Sequence, residues 1–406
     1  MTNTLEQPRA WSLPQAPRDY VLGHVRAVLA DQVLDDARIV VRDGRIIEVG
    51  PARRGSMVDV DGGGLICTPG LVDVHSDGLE RERMPRPGAE LPWPFSMMSF
   101  EGKLRAAGVT TVFHGASFSD QESAKDRRSV DAALQMCAAI ADWSENGSRL
   151  VDHRVLYRLD VRSAAGLAAL QAHFEQQVAA GRIGRDVQAI ISHEDHTPGI
   201  GQYADRTFYE KYMVGMRGMT ADQARAAVDE LIRDRQGNIG VREESMNWLA
   251  GQAETGRVRI FGHDPESAVE IADLARRGGN VAEFPTTEEA AREARARGMS
   301  VVMGGPNILR GGSHSGNVSA AALAGLGLVT ALASDYLPSS LLGAAFTLAD
   351  TATMPLPAAV ALITSGPAAA VGLSDRGELA AGQRADLVLI SLEHRCPVVR
   401  SVLRAH

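Results

Sequence analysis

The sequence predicts an α/β fold, a (β/α)8 TIM-like barrel carrying a small β-sandwich domain built from both chain termini. Three observations predict it. Eight short apolar runs alternate with Ala/Arg/Glu-rich stretches of helical pattern, the texture of a parallel sheet covered by helices. Eight is also the number of strands that closes a barrel. Finally, similar short β runs broken by Gly and polar turns stand at both ends of the chain and nowhere between.

The 406 residues, 45% of them hydrophobic, suffice for one large core and a smaller accessory one. The first segment, residues 1–19, is polar and proline-containing, resembles neither a secretory nor a transit signal, and reads as flexible. From about Tyr20 to Gly70 the chain reads as β structure, with Asp43-Gly44 marking a hairpin between alternating apolar runs. RGELAAGQRADLVLISL and PVVRSVLRAH return to that texture, so 20–70 and 376–406 are expected to form one composite β domain. The barrel is expected over 71–375.

Its strands are read at VDVHSD (72–77), TTVFHG (110–115), RVLYRLD (154–160), VQAIISHED (187–195), VRIFGHD (258–264), NVAEFP (280–285), SVVMGG (300–305) and TALASD (330–335). Helices are expected between them, for example over QESAKDRRSVDAALQMCAAIADW, PESAVEIADLARRG and TTEEAAREARARG, the last two opening on residues suited to a helix N-terminus. The segment of about 203–256 is helical in pattern but longer than a crossover needs, and reads as an inserted subdomain or lid.

Charge and cysteine content narrow the partners. A formal charge of -8 argues against a nucleic-acid surface, and no run reaches the roughly 18 apolar residues of a membrane span. Cys67, Cys137 and Cys396 are scattered and odd in number, so neither a disulfide framework nor a Cys-type zinc site is expected, and a cytoplasmic setting fits. Only Lys103, Lys125 and Lys211 are lysines among the 42 basic residues.

In a parallel barrel, chemistry gathers at the C-terminal strand ends. Here they carry His75 and Asp77, Asp160, then His193, Asp195 and His196, then His263 and Asp264, and finally Asp335. One histidine is usually a core or surface residue, and one aspartate after a strand is often a helix cap. Five strand ends converging on one mouth would instead bury unpaired imidazoles and carboxylates, which implies a cation. Mixed His/carboxylate ligation suits zinc, manganese or iron. Asp335 is the expected proton acceptor for an attacking water. Close to this mouth, VVMGGPNILRGGSHSGN offers Arg310, Gly311, Gly312, Ser313, His314 and Asn317, and ERERMPRPG offers Arg81, Arg83 and Arg86, donors suited to phosphate oxygens. Tight turns and a solvated charged loop are the alternatives.

CTPGLVDVHSD and RGELAAGQRADLVLI resemble the amidohydrolase superfamily. VAEFPTTEEAA, VMGGPNILRGGSHSGNV and LASDYLPSSLL, with EDHTPG, MPRPG and AGVTTV, resemble the PhnM family of the carbon–phosphorus lyase pathway, over roughly residues 65 to 390. The resemblance implies a diphosphatase in which water attacks the α-phosphorus of α-D-ribose 1-methylphosphonate 5-triphosphate and pyrophosphate leaves. It implies a divalent-metal site of one or two ions, zinc first, on His75, Asp77, Asp160, His196, His263 and Asp335. Asp160, where the family has Glu, would lie between the metals. No lysine stands at a strand end to serve as a carboxylated bridge, as one does in many amidohydrolases. The partner implied is a small phosphorylated sugar or nucleotide-like substrate, with no nucleic acid, no membrane, and self-association left open. A dihydroorotase- or hydantoinase-like cyclic-amide hydrolase and an inactive barrel scaffold are the competing readings.

Overall fold

A computed structural model describes residues 16–52, 55, 57–86, 88–120, 129–146, 150–201, 205–313 and 316–405. The strands are β1 (Tyr20–Val28), β2 (Val33–Arg42), β3 (Arg45–Pro51), β4 (Val60–Asp61), β5 (Ile66–Pro69), β6 (Leu71–Ser76), β7 (Val109–Phe118), β8 (Asp152–Asp160), β9 (Ala189–Glu194), β10 (Val258–His263), β11 (Gly279–Glu283), β12 (Ser300–Gly304), β13 (Ala331–Ala333), β14 (Leu387–Glu393) and β15 (Cys396–Leu403).

Seven of them form the terminal sheet, in the order β15-β14-β5-β1-β2-β3 with β4 beside β1. The β2–β3 connection is the expected hairpin: Asp43 and Gly44 both take positive φ (53° and 72°), which a two-residue turn matching strand twist requires. Strand β14 pairs antiparallel with β5, so the last strands join the first through backbone hydrogen bonds. Tyr20, Leu22, Ile39, Val41, Leu387 and Leu389 lie in the core of this sheet.

Gly70 alone separates β5 from β6 and so connects the two sheets. A Cβ there would stand 2.2 Å from Thr110 Oγ1 and 2.9 Å from Asp386 Cβ, so only glycine passes. The eight strands β6 to β13 pair in parallel and in chain order, and Ser76 bridges Asp335 to bring the first beside the last. All eight runs read from the sequence are these strands. Their interior is filled by Val72, Val74, Phe113, Leu156, Ile190 and Phe261 among others, and the outer face packs under the helices, so both faces are buried and the strands read as near-continuous apolar runs.

Ser267 and Thr287 cap the helices Ala268–Arg276 and Glu288–Ala296, each accepting a backbone N–H with its hydroxyl. The helix expected from residue 121 is seen as Val130–Asn146, and residues 121–128 lie outside the described ones, as do residues 1–15. Between β9 and β10 the described residues make three helices, Arg206–Arg217, Ala221–Gly237 and Ile239–Glu254. Among the described residues no helix is long and apolar enough to cross a membrane.

Candidate metal centre and phosphate cavity

A cavity of about 680 Å3 opens at the C-terminal ends of the barrel strands. Its lining includes His75, Asp77, Arg158, His196, His263, Asp264 and Asp335.

Strict alternation along β6 would send His75 and Asp77 to the side opposite Val72 and Val74. The pairing with β7 slips between Asp73 and Ser76, and this bulge re-aims the strand end. Asp73 and Ser76 meet the Ser334 hydroxyl, at 2.5 and 3.5 Å, while His75 and Asp77 line the cavity with His75 Nε2 3.6 Å from Asp77 Oδ1.

Glu283, at the end of β11, organises the imidazoles. His75 Nδ1 lies 2.7 Å from its Oε1 and His263 Nδ1 2.7 Å from its Oε2, which the Ser192 hydroxyl also approaches at 2.6 Å. Burial would raise this carboxyl, but His75 and His263 outweigh it and hold Glu283 well below the ordinary range. Burial would lower both imidazoles, but Glu283 and the Asp77 hydrogen bond hold that of His75 at about 10, and Asp264, Glu194 and Glu283 hold that of His263 above its usual range. An ionised carboxylate only accepts, so both Nδ1 atoms carry protons and Nε2 is the nitrogen of each ring left to ligate, an incoming cation displacing its proton. That is how a carboxylate prepares metal-binding histidines.

His263 Nε2 stands 3.5 Å from Asp264 Oδ2, and His196 Nε2 stands 3.9 Å from the same oxygen. Asp264 Oδ2 is buried and has no hydrogen-bond partner, and burial, with Glu194 and Glu283 adding to it, raises the carboxyl to about 6. Two imidazole nitrogens around an unsatisfied buried carboxylate oxygen are the donor set of a divalent cation, so the residues fit one. Donor atoms of His75, His263 and Glu283 also lie within 4.8 Å of one another, but those contacts are the Nδ1 hydrogen bonds, and we place the ion on the Nε2 side.

Asp264, Phe284 and Asp335 all take positive φ, between 53° and 57°, directly after β10, after β11 and two residues beyond β13. Non-glycine residues held there store backbone strain, and all three line the cavity. Asp335 is locked by its N–H donating to the His75 carbonyl at 3.0 Å and its carbonyl accepting from the Asp77 N–H. Burial first and the Asp77 carboxylate second raise its carboxyl above the usual range.

Tyr336, next to Asp335, joins the two arginine-bearing stretches. The Arg81 guanidinium lies 4.6 Å over its ring and Arg310 donates to its hydroxyl at 2.9 Å. Both line the cavity, with Ser313 and Asn317. Arg83 also lines it, but bonds the Leu91 carbonyl and Glu90 and lies over the Trp93 ring.

Other expected site residues fall elsewhere. Asp160 is absent from the lining: Arg235, from the inserted helix Ala221–Gly237, donates to both its oxygens at 2.9 Å. Arg235 also donates to Thr197 Oγ1 and to Asp195, the two neighbours of His196, so the aspartate and the insertion hold the His196 loop. Gly311 and Gly312 do not line the cavity, because their amides close the helix Gly305–Arg310 on Ile308 and Asn307. Arg86 is exposed and outside the lining. His314 lies outside the described residues. His193 points the other way, with Gly262 and Leu274 beside it, as alternation along β9 demands.

Glu283, Glu194 and Arg158 are the residues that strand-end reading passed over. Period two could have found the latter pair, since Glu194 precedes His196 by two residues and Arg158 precedes Asp160 by two. Arg158 donates to Asp77 at 2.6 and 2.7 Å and bonds Glu194 through Nε. Glu194 is thereby held near 2, Arg158 outweighing the upward push of burial.

The chain is similar to proteins of known kind. A model of the amidohydrolase family matches residues 270–400. The α-D-ribose 1-methylphosphonate 5-triphosphate diphosphatase of Escherichia coli (strain K12) is 35% identical over 371 residues, 91% of this chain and 94% of that protein. An imidazolonepropionase of Cereibacter sphaeroides is 27% identical, covering 92% of this chain and 94% of its own. Among solved structures, the N-acetyl-D-glucosamine-6-phosphate deacetylase of Mycobacterium smegmatis superposes with a TM-score of 0.60 at 16% identity over 95% of this chain and 98% of that one. An enamidase of the amidohydrolase superfamily superposes with a TM-score of 0.58 at 15% identity, over 95% of this chain and 94% of that one. At these identities the structures speak for the fold.

Proposed function

The chain belongs to the PhnM family of the amidohydrolase superfamily, and we propose that it is a divalent-metal-dependent diphosphatase that cleaves a ribosyl 5-triphosphate to the 5-phosphate and pyrophosphate. The substrate proposed is α-D-ribose 1-methylphosphonate 5-triphosphate or a close analogue, handled in phosphonate catabolism in the cytoplasm.

The observation that carries this reading is the placement of Arg81 over the ring of Tyr336 and of Arg310 on its hydroxyl, next to Asp335 and within the same cavity as the imidazole group. A polyphosphate needs several fixed positive donors, and guanidinium groups match phosphate oxygens in geometry as well as charge. A neutral amide needs none of them, and a carboxylate-bearing one needs a single such donor.

His75, His196, His263 and Asp264 would hold the cation, with Glu283 orienting two of the imidazoles. A divalent ion, when bound, lowers the pKa of water in contact with it toward about 7 and polarises a phosphoryl oxygen. Asp335 accepts the proton of the attacking water, which its raised basicity favours. Water oxygen bonds the α-phosphorus, the bond to the bridging oxygen breaks, and that oxygen leaves with pyrophosphate. Arg81 and Arg310 hold the charged phosphates in place while charge builds on the leaving group.

The test is product analysis with ribosyl and nucleoside triphosphates in the presence of zinc or manganese. Pyrophosphate released one-for-one with the monophosphate supports the reading. Stepwise orthophosphate release, or turnover of cyclic amides alone, overturns it.

A further inference from the structure

Arg158 is a guanidinium that reaches two carboxylates at the heart of the candidate centre. It rises from β8 with its side chain 4% exposed and lies between Asp77, just after β6, and Glu194 on β9. Asp77 accepts from Nη1 with both oxygens, at 2.6 and 2.7 Å, and Glu194 accepts from Nε. The wall is cut to fit it: a Cβ at Gly115 would stand 2.8 Å from Arg158 Cδ and 2.7 Å from Asp77 Oδ1. Glycine on the intervening strand β7 therefore lets the arginine and the aspartate meet.

A second divalent ion at this mouth would need the Asp77 carboxylate as a ligand and another carboxylate as a bridge. Both are committed. Asp77 is engaged by Arg158, and Asp160, the bridge that the family resemblance implies, has both oxygens on Arg235. Lysine, the other bridging group, is absent from the lining among the described residues. Asp264 Oδ2, by contrast, is buried without a partner beside His196 and His263. One side of the mouth is short of a cation and the other already has one.

We propose that Arg158 takes the place of a second metal ion, so that the centre holds a single divalent ion on the His196, His263 and Asp264 side. The proposal rests on the metal-dependent reading above but not on the identity of the substrate. A guanidinium is always charged and cannot dissociate. It gives Asp77 and Glu194 a permanent counter-charge, so neither is left as a buried unpaired carboxylate when the ion is removed. The Asp77 side of the centre then carries a fixed positive charge and the Asp264 side an exchangeable one.

Metal stoichiometry of the full-length chain tests this with no substrate present. Protein stripped with chelator, reloaded with Mn2+ alone and desalted is analysed for bound metal by elemental analysis and for ion–ion coupling by EPR. The expected result is one ion per chain with the spectrum of an isolated Mn2+. Arg158→Met frees Asp77 and Glu194 and is expected to raise the count to two with a coupled spectrum. Arg158→Lys keeps one charge in the wall and is expected to stay at one. Wild-type protein that holds two coupled ions overturns the proposal even if neither variant folds, and so does a folded Arg158→Met that stays at one. Wild-type protein that binds no ion overturns both this proposal and the metal-dependent reading, whereas two ions overturn only the role of Arg158.

Discussion

Replacing Glu283 by Gln removes one charge without changing shape, and the structure states which atoms must respond. Both Glu283 oxygens accept from imidazole Nδ1–H groups at 2.7 Å, and one also faces the Ser192 hydroxyl. An amide offers one oxygen and one NH2, so one of the two imidazoles would face a donor. That ring must shift its proton from Nδ1 to Nε2, and the nitrogen that should ligate the cation becomes an N–H. Losing a partner of this kind lowers metal affinity by about 10–100-fold, or about 1.4–2.7 kcal/mol. Competition with a chromophoric chelator at neutral pH measures it, with the circular dichroism spectrum checking that the barrel is intact. An affinity within twofold of wild type, in folded protein, would refute the argument that Glu283 sets the tautomers.

Three further predictions follow from the same geometry. Asp335→Asn should keep its metal but lose turnover by roughly 10²–10⁴-fold, as removal of a general base does; a kcat within threefold of wild type removes Asp335 from that role. Arg235→Met leaves Asp160 buried with its main counter-charge gone and should destabilise the fold by about 3–5 kcal/mol in urea unfolding, with Asp160→Asn partly rescuing it; a loss under about 1 kcal/mol contradicts the pairing. The Asp264 carboxyl, raised to about 6 by burial, binds a proton more tightly in the folded chain than in the unfolded one. Its contribution to the stability of metal-free protein is therefore full below about 4 and is lost as pH rises through about 6, while metal affinity climbs over the same interval as the proton leaves. Asp264→Asn should make that rise shallower, the remainder coming from the imidazoles, which also release protons to the cation, and an affinity flat from pH 5 to 7 in the wild type would count against Asp264 as a ligand.

The barrel was legible because its signal is local and repeated. Each strand is a short apolar run, each helix shows its start in residues such as Ser267 and Thr287, and Asp43-Gly44 announces its hairpin through the positive φ both positions need. Convergence on a mouth was legible for the same reason: a parallel barrel brings every strand end together, so His75, Asp77, His196, His263 and Asp335 were bound to meet once eight strands were counted. The division of labour among carboxylates was not. Asp160 and Glu194 both stand at strand ends, and nothing local says that Arg235, seventy-five positions after Asp160, turns it into an anchor for the inserted helix. Gly311 and Gly312 have the composition of an anion loop, yet their amides are used by the helix they terminate.

What the sequence by itself determined is therefore the architecture and the convergence of His75, Asp77, His196, His263 and Asp335 on one cavity, both of which follow from periodicity and topology. Only the tertiary structure decided which of these groups pair with one another, because that depends on contacts between residues far apart in the chain. The bulge that re-aims His75 and Asp77 needs β7 beside β6, the tautomers of His75 and His263 need Glu283 from β11, and the counter-charge of Asp77 needs Arg158 across the gap left by Gly115. Electrostatic roles are properties of neighbours, and for this site the neighbours come from six different strands.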